Sequence, residues 1–113
     1  MIISAARPDD LAQILALEKG GFTRSLRWSE AAWQDELDNP ERLVLVRHDA
    51  LGDVVGVATF SLAADMADLL RVIVAPDSRG RGIGGSLVRA GMEWAKAVGA
   101  DRMLLEVRPD NTP

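Results

Sequence analysis

Residues 72–88 read VIVAPDSRGRGIGGSLV and decide the fold. The apolar, β-branched run Leu69 to Val74 predicts a strand, because Pro76 closes it and cannot donate to a sheet ladder. From Ile83 to Val98 apolar residues recur every three or four positions, which predicts a long amphipathic helix with one face on a sheet. The glycine-rich turn Arg79 to Gly85 therefore stands between a strand and the start of a helix.

The composition of this turn predicts an anion site. Glycines let the backbone approach a ligand closely, and the free N–H groups of a helix start carry the positive end of its dipole. A pyrophosphate is the natural ligand. The alternative is a tight turn with Arg79 and Arg81 in solvent, but two arginines among glycines at a helix start favour the ligand site.

Two other phosphate motifs fit this segment poorly. Gly80, Gly82 and Gly85 satisfy the spacing of a dinucleotide fingerprint, and Glu106 follows at about the right distance. Five residues separate the strand from the first glycine, however, and Glu106 lies inside its strand instead of ending it. The P-loop pattern also fails, since no Lys-Ser or Lys-Thr follows the last glycine, so nucleotide hydrolysis is not expected.

The rest of the chain predicts a single α+β, or mixed α/β, domain over residues 1–113 with the order β-α-α-β-β-β-α-β. The predicted elements are a short strand at Ile2–Ile3, a helix that starts at Pro8 and stops at Gly20-Gly21, a helix Glu30 to Leu37 capped by Ser29, strands at Leu43–Val46, Val54–Leu62 and Leu69–Val74, the long helix ended by Gly99, and a last strand Arg102–Arg108. The two strands flanking Asp49–Asp53 should pair antiparallel, and the strands flanking the long helix should run parallel.

Composition excludes several function classes. The chain has 113 residues, a formal charge of −4 and no cysteine, so disulfide frameworks, thiolate zinc sites and thiol nucleophiles are excluded. An acidic balance disfavours nucleic-acid binding and suits a positively charged partner. No signal-peptide pattern and no run of about 20 apolar residues is present, so we expect a soluble cytoplasmic protein without a membrane anchor. No carboxylate pair or His cluster has metal-ligand spacing, so no metal is expected.

With these residues in view, VIVAPDSRGRGIGGSLV resembles the acyl-CoA-binding segment of the GNAT superfamily of N-acetyltransferases. The family pattern is Gln or Arg, two residues, Gly, one residue, then Gly or Ala, which Arg79, Gly82 and Gly84 match. The resemblance implies acetyl-CoA as co-substrate, with its pantetheine arm on the backbone of the preceding strand. The implied cofactor-binding residues are Val72, Ile73, Val74, Arg79, Gly80, Arg81, Gly82, Ile83, Gly84 and Gly85.

A narrower resemblance covers most of the chain. RWSEAAWQDEL, residues 27–37, and LLEVRPDN, residues 104–111, resemble enzymes of the RimI type, which acetylate the N-terminal alanine of a small-subunit ribosomal protein. This resemblance implies a basic N-terminal peptide as acceptor. It also implies Glu106 as the proton acceptor, and Asn111 as a further contact to acetyl-CoA.

Strand alternation places Glu106 on the face opposite Met103, Leu105 and Val107. Periodicity alone favours a solvated strand residue paired with an arginine of the same strand, whereas the resemblance favours a general base. Because an α-amino group has a reference pKa of about 8, one carboxylate can suffice to accept its proton at neutral pH. Backbone N–H groups of residues 72–74 are expected to polarise the thioester carbonyl.

The tyrosine that protonates the leaving thiolate in this family lies beyond LEVR-x-x-N, and the chain has no tyrosine. Either the sequence is a fragment without the family's last helix and hairpin, or the enzyme lacks this acid. We expect acetyl-CoA binding with weak or no turnover, and a homodimer through the exposed sheet edge. Two alternatives stay open: acetylation of another amine, on a small molecule or lysine, and a non-catalytic acyl-CoA-binding module.

The remaining candidates are weaker. Phe22, Trp28 and Trp33 could line an acceptor groove, although Trp33 is expected in the core, as is Trp94. His48, the single histidine, is interpreted as a surface residue at a hairpin turn. Asp65 and Asp68 are interpreted as solvated turn acids that could attract a basic peptide.

Overall fold

The structure, a computed structural model, describes residues 3–63, 66–98 and 102–105, with the backbone alone for residues 63 and 102–105. Its strands are β1 Ile3–Ala5, β2 Arg42–His48, β3 Val54–Ala63, β4 Met66–Val74 and β5 Arg102–Leu105, and its helices are α1 Leu11–Gly21, α2 Glu30–Asp38 and α3 Ile83–Ala97. The predicted order of strands and helices is confirmed.

The strands form one mixed sheet in the order β1-β2-β3-β4-β5. Neighbours from β1 to β4 run antiparallel: short connections join β2 to β3 and β3 to β4, whereas α1 and α2 lie between β1 and β2. Strands β4 and β5 run parallel, in a register from Met66 opposite Arg102 to Leu69 opposite Leu105. The predicted antiparallel pair β2–β3 and the predicted parallel pair that flanks α3 are both confirmed.

Local signals explain where the early elements begin. The Ser29 hydroxyl accepts a hydrogen bond from the Ala32 N–H at 3.0 Å, which caps α2 as predicted. The Asp49 carboxylate accepts from the N–H groups of Leu51 and Asp53, both at 2.9 Å, and so closes the β2–β3 turn. Helix α1 ends at Gly21, so the glycine pair at residues 20 and 21 stops the helix as predicted.

Apolar side chains fill both faces of the sheet. Helices α1 and α2 cover one face, where the buried residues are Ile14, Leu17, Phe22, Trp33, Val44, Val46, Val54, Val57 and Ile73. Helix α3 covers the other face, where the buried residues are Leu45, Val55, Ala58, Phe60, Leu69, Ile83 and Leu87, with Trp94 packed against them.

Two glycines allow α3 to lie close to the sheet. A Cβ on Gly91 would collide with the ring of Phe60, which is fully buried. A Cβ on Gly56 would stand 2.9 Å from a methyl carbon of Ile83. Close packing of this kind leaves no room for added atoms, so the start of α3 is held at a fixed height above the end of β4.

A β-bulge in β4 changes which face its side chains occupy. Thr59 pairs with Arg71 while Phe60 pairs with Leu69, so Leu70 is the extra residue. Because an inserted residue reverses the alternation, Leu69 packs on the α3 face whereas Ile73 packs on the face of α1 and α2. Among the described residues, no helix is both long and apolar enough to cross a membrane.

Candidate active site

The glycine-rich turn joins the end of β4 to the start of α3. A 3₁₀ turn at Pro76–Ser78 leads into Gly80 and Gly82, which adopt left-handed φ values of 82° and 76°. A Cβ at either position would meet nothing within 4 Å. Glycine is therefore required here by the backbone conformation and not by crowding, since L-residues pay an energetic cost in this region.

The turn presents a helix N-terminus to a pocket. Gly82 is the N-cap of α3, and the Ser86 N–H donates to the Gly82 carbonyl at 3.0 Å. The N–H groups of residues 83–85 precede that bond and so have no partner within the helix. The pocket has a volume of about 220 Å³ and is lined by Val74, Ser78, Arg79, Gly80, Gly82, Ile83, Gly84 and Gly85.

The arginines around this pocket differ in their placement. Arg79 lines the pocket, and its Nε donates to the Val74 carbonyl at 3.2 Å. Arg81 is exposed and is not part of the pocket lining. Arg89 was missed by the sequence analysis: its Nη1 lies 3.4 Å from the position that a Cβ on Gly85 would take. The spacing of four residues along a helix could have indicated this neighbour.

The end of β4 at residues 72–74 lies beside the pocket, and among the described residues no strand pairs with its outer edge. The Ala75 N–H donates to the Val55 carbonyl at 2.9 Å, so residue 75 points its backbone groups at β3. Because these directions alternate along a strand, Ile73 also points at β3, while Val72 and Val74 point their N–H and C=O groups away from it. Described pairing with β5 ends at Leu69. Of the three predicted backbone donors, geometry therefore leaves Val72 and Val74 available on that edge.

A buried ion pair on the α1 face of β4 was not predicted. The Glu18 carboxylate is 1% exposed and accepts from the Trp28 N–H at 2.9 Å, the Trp33 Nε1 at 2.9 Å and the Arg71 Nη1 at 2.8 Å. The sequence carried a signal for both charges: Glu18 falls at the helical spacing of Leu11 and its apolar neighbours, and Arg71 interrupts an apolar strand.

Some of the weaker aromatic candidates lie in the core, and one keeps an accessible surface at the predicted acceptor groove. Trp33 is fully buried, which confirms its expected place in the core. Trp28 is half-buried, with its ring centroid 5.1 Å from that of Trp33. Phe22 is buried against the same cluster, and Trp94, on α3, is half-buried against the core of the other sheet face. Trp28 is thus the aromatic residue of the predicted groove that keeps an accessible surface.

The structure changes the interpretation of two polar residues, His48 and Asp68. The His48 Nε2 lies 3.1 Å from Asp10 Oδ1, so this histidine is half-buried and paired and not an isolated surface residue. Asp68 lies within β4 opposite Ser61, and its Oδ1 is buried, so its interpretation as a solvated turn acid is wrong. The sequence placed the start of β4 at Leu69, which left Asp68 in a turn by mistake.

The predicted base Glu106 and the predicted contact Asn111 lie outside the described residues, as does Asp65. Their roles stay predictions. Over residues 3–63, 66–98 and the backbone of 102–105, no group of three or more His, Asp or Glu side chains is arranged to hold a metal ion.

A mixed sheet whose fourth strand carries a bulge and leads through a glycine-rich turn into a helix N-terminus defines the class: this is the acetyltransferase fold of the GNAT type. Residues 9–113 match the family described as the Acetyltransferase (GNAT) family. The chain belongs to this family, and its enzyme class is that of the N-acetyltransferases.

The relatives lie within the same family. The chain is 30% identical over 108 residues to a candidate ribosomal protein bS18-alanine N-acetyltransferase of Bacillus subtilis, covering 95% of this chain and 70% of that protein. It is 28% identical over 119 residues to a mycothiol acetyltransferase of Clavibacter michiganensis, of which it spans only 39%.

Solved structures share the fold. The ribosomal-protein-S18-alanine N-acetyltransferase from Escherichia coli superposes with a TM-score of 0.84 at 23% identity, over 98% of this chain and 69% of that one. The PaiA N-acetyltransferase from Thermoplasma acidophilum, solved in complex with coenzyme A, superposes with a TM-score of 0.85 at 18% identity, over 98% and 81% of the two chains.

Proposed function

We propose that this protein binds acetyl-CoA between the outer edge of β4, at residues 72–74, and the glycine-rich turn, and transfers the acetyl group to the N-terminal amine of a ribosomal protein that begins with alanine. The observation that carries the proposal is the pocket at the start of α3, where two left-handed glycines precede the helix and the N–H groups of residues 83–85 have no helix partners. GNAT acetyltransferases use acetyl-CoA, and a pyrophosphate is the part of it that such a pocket suits.

The residues proposed to bind the cofactor are those of the glycine-rich turn, those at the neighbouring end of β4, and Asn111. The amides of Gly80 to Gly85, with Arg79 and Arg81, hold the pyrophosphate, and Asn111 adds a contact. The pantetheine arm lies along residues 72–74, with the Val72 and Val74 N–H groups as donors because they point away from β3. A donor aimed at the thioester carbonyl stabilises the negative charge that develops on its oxygen.

The proposed chemistry is direct transfer. The neutral amine attacks the thioester carbon, a C–N bond forms, the C–S bond breaks, and the amine proton passes to the Glu106 carboxylate. The thiolate of coenzyme A leaves and takes a proton from solvent, since thiol pKa values of about 8.5 make it a tolerable leaving group. General acid assistance to the leaving thiolate, where present, contributes about 10²–10⁴-fold.

The names of two relatives support the proposed acceptor: the Bacillus subtilis protein and the Escherichia coli structure are both named as enzymes for the alanine of the ribosomal protein S18. The net charge of −4 suits a basic peptide. The test is incubation of the protein and acetyl-CoA with an alanine-initiated basic peptide, with the same peptide blocked at its N-terminus as control. Acetylation of the open peptide alone supports the proposal, and acetylation of lysine side chains in the blocked peptide contradicts it.

A second candidate is acetylation of a small-molecule amine. It is favoured by the mycothiol acetyltransferases among the relatives and by the fold shared with an aminoglycoside N-acetyltransferase. The same assay with an aminoglycoside and a polyamine as acceptors separates the two candidate functions. Both kinds of enzyme share the acetyl-CoA half of the fold, and the acceptor half determines which amine is acetylated. Preference for either small amine over the peptide would replace the ribosomal proposal.

A third candidate is an acyl-CoA-binding module without activity. It predicts that acetyl-CoA binds and that Glu106→Gln leaves any residual acetylation unchanged. The predicted homodimer is tested separately by light scattering, where a monomeric mass at high protein concentration contradicts it.

A further inference from the structure

One arginine joins strand β4 to the connection between α1 and α2, residues 22–28. The Arg71 Nη1 donates to Glu18 Oε2 at 2.8 Å, and its Nη2 donates to the Leu26 carbonyl at 3.2 Å. The guanidinium carbon Cζ lies 3.9 Å from the ring centroid of Phe22 and 4.5 Å from that of Trp28. The Arg71 side chain therefore contacts this connection at its beginning, middle and end.

The partner carboxylate is itself fixed in one orientation. Glu18 Oε1 accepts from the Trp33 indole, and Oε2 accepts from the Trp28 N–H as well as from Arg71. With defined donors on both oxygens, the carboxylate has one orientation, and a planar guanidinium bound to it has its orientation set too. The cluster thus sets the position of Trp28 relative to β4.

Stability alone is a poor explanation for this arrangement. The two side chains of the pair are 9% and 2% exposed, and the desolvation of such charges cancels most of their attraction. Apolar residues of similar size would serve the core about as well. A buried ion pair instead fixes the relative position of the two segments that it joins, which matters where one of them forms part of a binding site.

That place is beside the proposed reaction centre. Arg71 follows the bulge residue Leu70 and precedes Val72, the first proposed donor to the thioester carbonyl. Helix α3 covers the opposite face of the strand through Ile83 and Leu87. An amine that reaches the carbonyl from the α1 face therefore approaches beside residues 22–28, which Arg71 contacts at Phe22, Leu26 and Trp28.

We propose that Arg71 is a positioning residue for the acceptor: by binding Glu18 and the Leu26 carbonyl, it holds residues 22–28 as one wall of the site that receives the amine-bearing peptide. This rests on the proposed function. It predicts that the cluster governs acceptor binding and leaves coenzyme A binding unchanged, because the contacts given above join Arg71 to α1 and to residues 22–28, on the face of β4 opposite α3.

The test uses Arg71→Lys. Lysine keeps the positive charge beside Glu18, but it cannot bridge to the Leu26 carbonyl with a planar fork or stack between two rings. Arg42→Lys is the matched control, because Arg42 pairs with Glu36 at 3.1 Å on the same face of the sheet and is more exposed. Calorimetry measures the Kd of coenzyme A, then the Kd of an alanine-initiated basic peptide for the protein saturated with coenzyme A, which cannot transfer.

The expected result for Arg71→Lys is peptide affinity lower by about tenfold or more, the loss of one charge-assisted contact, with coenzyme A affinity changed by less than about threefold. Arg42→Lys should change neither. Peptide affinity unchanged in Arg71→Lys overturns the proposal. A parallel loss of both affinities also overturns it, since that would make Arg71 a general support of β4.

Hydrogen exchange separates failure of this inference from failure of the proposed function. The second variant is Glu18→Gln with Arg71→Met, which removes both charges and avoids an uncompensated buried ion. If the wild-type protein binds no peptide, the proposed acceptor is wrong. The exchange rates of the backbone amides of residues 22–28 then test the role of Arg71. Faster exchange there in both variants, with α3 unchanged, supports a positioning role, and unchanged exchange overturns it.

Discussion

Two glycines two residues apart should respond to the same substitution with opposite signs. Gly82 has a φ of 76°, where an alanine costs about 1–2 kcal/mol, and the open space around it offers no compensating contact. Gly84 lies inside α3, and its added Cβ would stand at an ordinary 3.5 Å from a methyl carbon of Val74. Alanine there gains about 0.5 kcal/mol of helix propensity, less than in a helix interior.

These energies convert to measurable shifts. For a domain of about 100 residues, 1 kcal/mol moves the Tm by roughly 4–8 °C. Gly82→Ala should therefore lower the Tm by roughly 5–10 °C, and Gly84→Ala should raise it by roughly 2–4 °C. Differential scanning fluorimetry on the free proteins measures both, and each protein serves as the control of the other.

The two substitutions should also differ in their effect on acetyl-CoA affinity. Moving residue 82 out of the left-handed region reorients the N–H groups of the turn, and the loss of one hydrogen bond to a charged group lowers affinity by about tenfold or more. Gly84→Ala should keep its affinity within about threefold, because the backbone is unchanged. Equal behaviour of the two variants, in Tm or in affinity, would refute the assignment of the left-handed N-cap as the determinant of the site.

The other predictions concern packing, capping and the base. Gly91→Ala should destabilise by about 2 kcal/mol in urea unfolding, because its Cβ meets the buried ring of Phe60, and a gain in stability would contradict the close approach of α3. Ser29→Ala should cost about 1 kcal/mol, since the Ala32 N–H loses its acceptor, whereas Ser29→Asp should restore the cap. Glu106→Gln should lower acetylation by about 100-fold or more while calorimetry finds acetyl-CoA affinity unchanged, and unchanged acetylation would exclude Glu106 as base.

The sequence was sufficient for the features that depend on local chemistry. Proline and glycine punctuation located β4 and α3, and Ser29 marked the start of α2, because capping and backbone preference act within a few residues. The pocket at the start of α3 was predictable for the same reason, since the composition of the turn and its place between strand and helix determine it.

Features that depend on tertiary pairing were not predicted. The bulge at Leu70 follows from the register between β3 and β4, and it decides that Arg71 faces α1. The Glu18 and Arg71 pair joins residues 53 positions apart, so neither residue alone identified its partner. Asp68 was assigned to a turn because strand ends are poorly marked where polar residues alternate with apolar ones.

The measurement that tests the central claim most directly is thermal unfolding of the protein with and without acetyl-CoA. A ligand at 100 times its Kd stabilises the folded state by about 2.7 kcal/mol, which predicts a Tm higher by roughly 11–22 °C for wild type and a smaller rise for Gly82→Ala at the same concentration. A cooperative transition whose Tm does not change with acetyl-CoA would contradict the claim that the glycine-rich turn and the edge of β4 form the acetyl-CoA site.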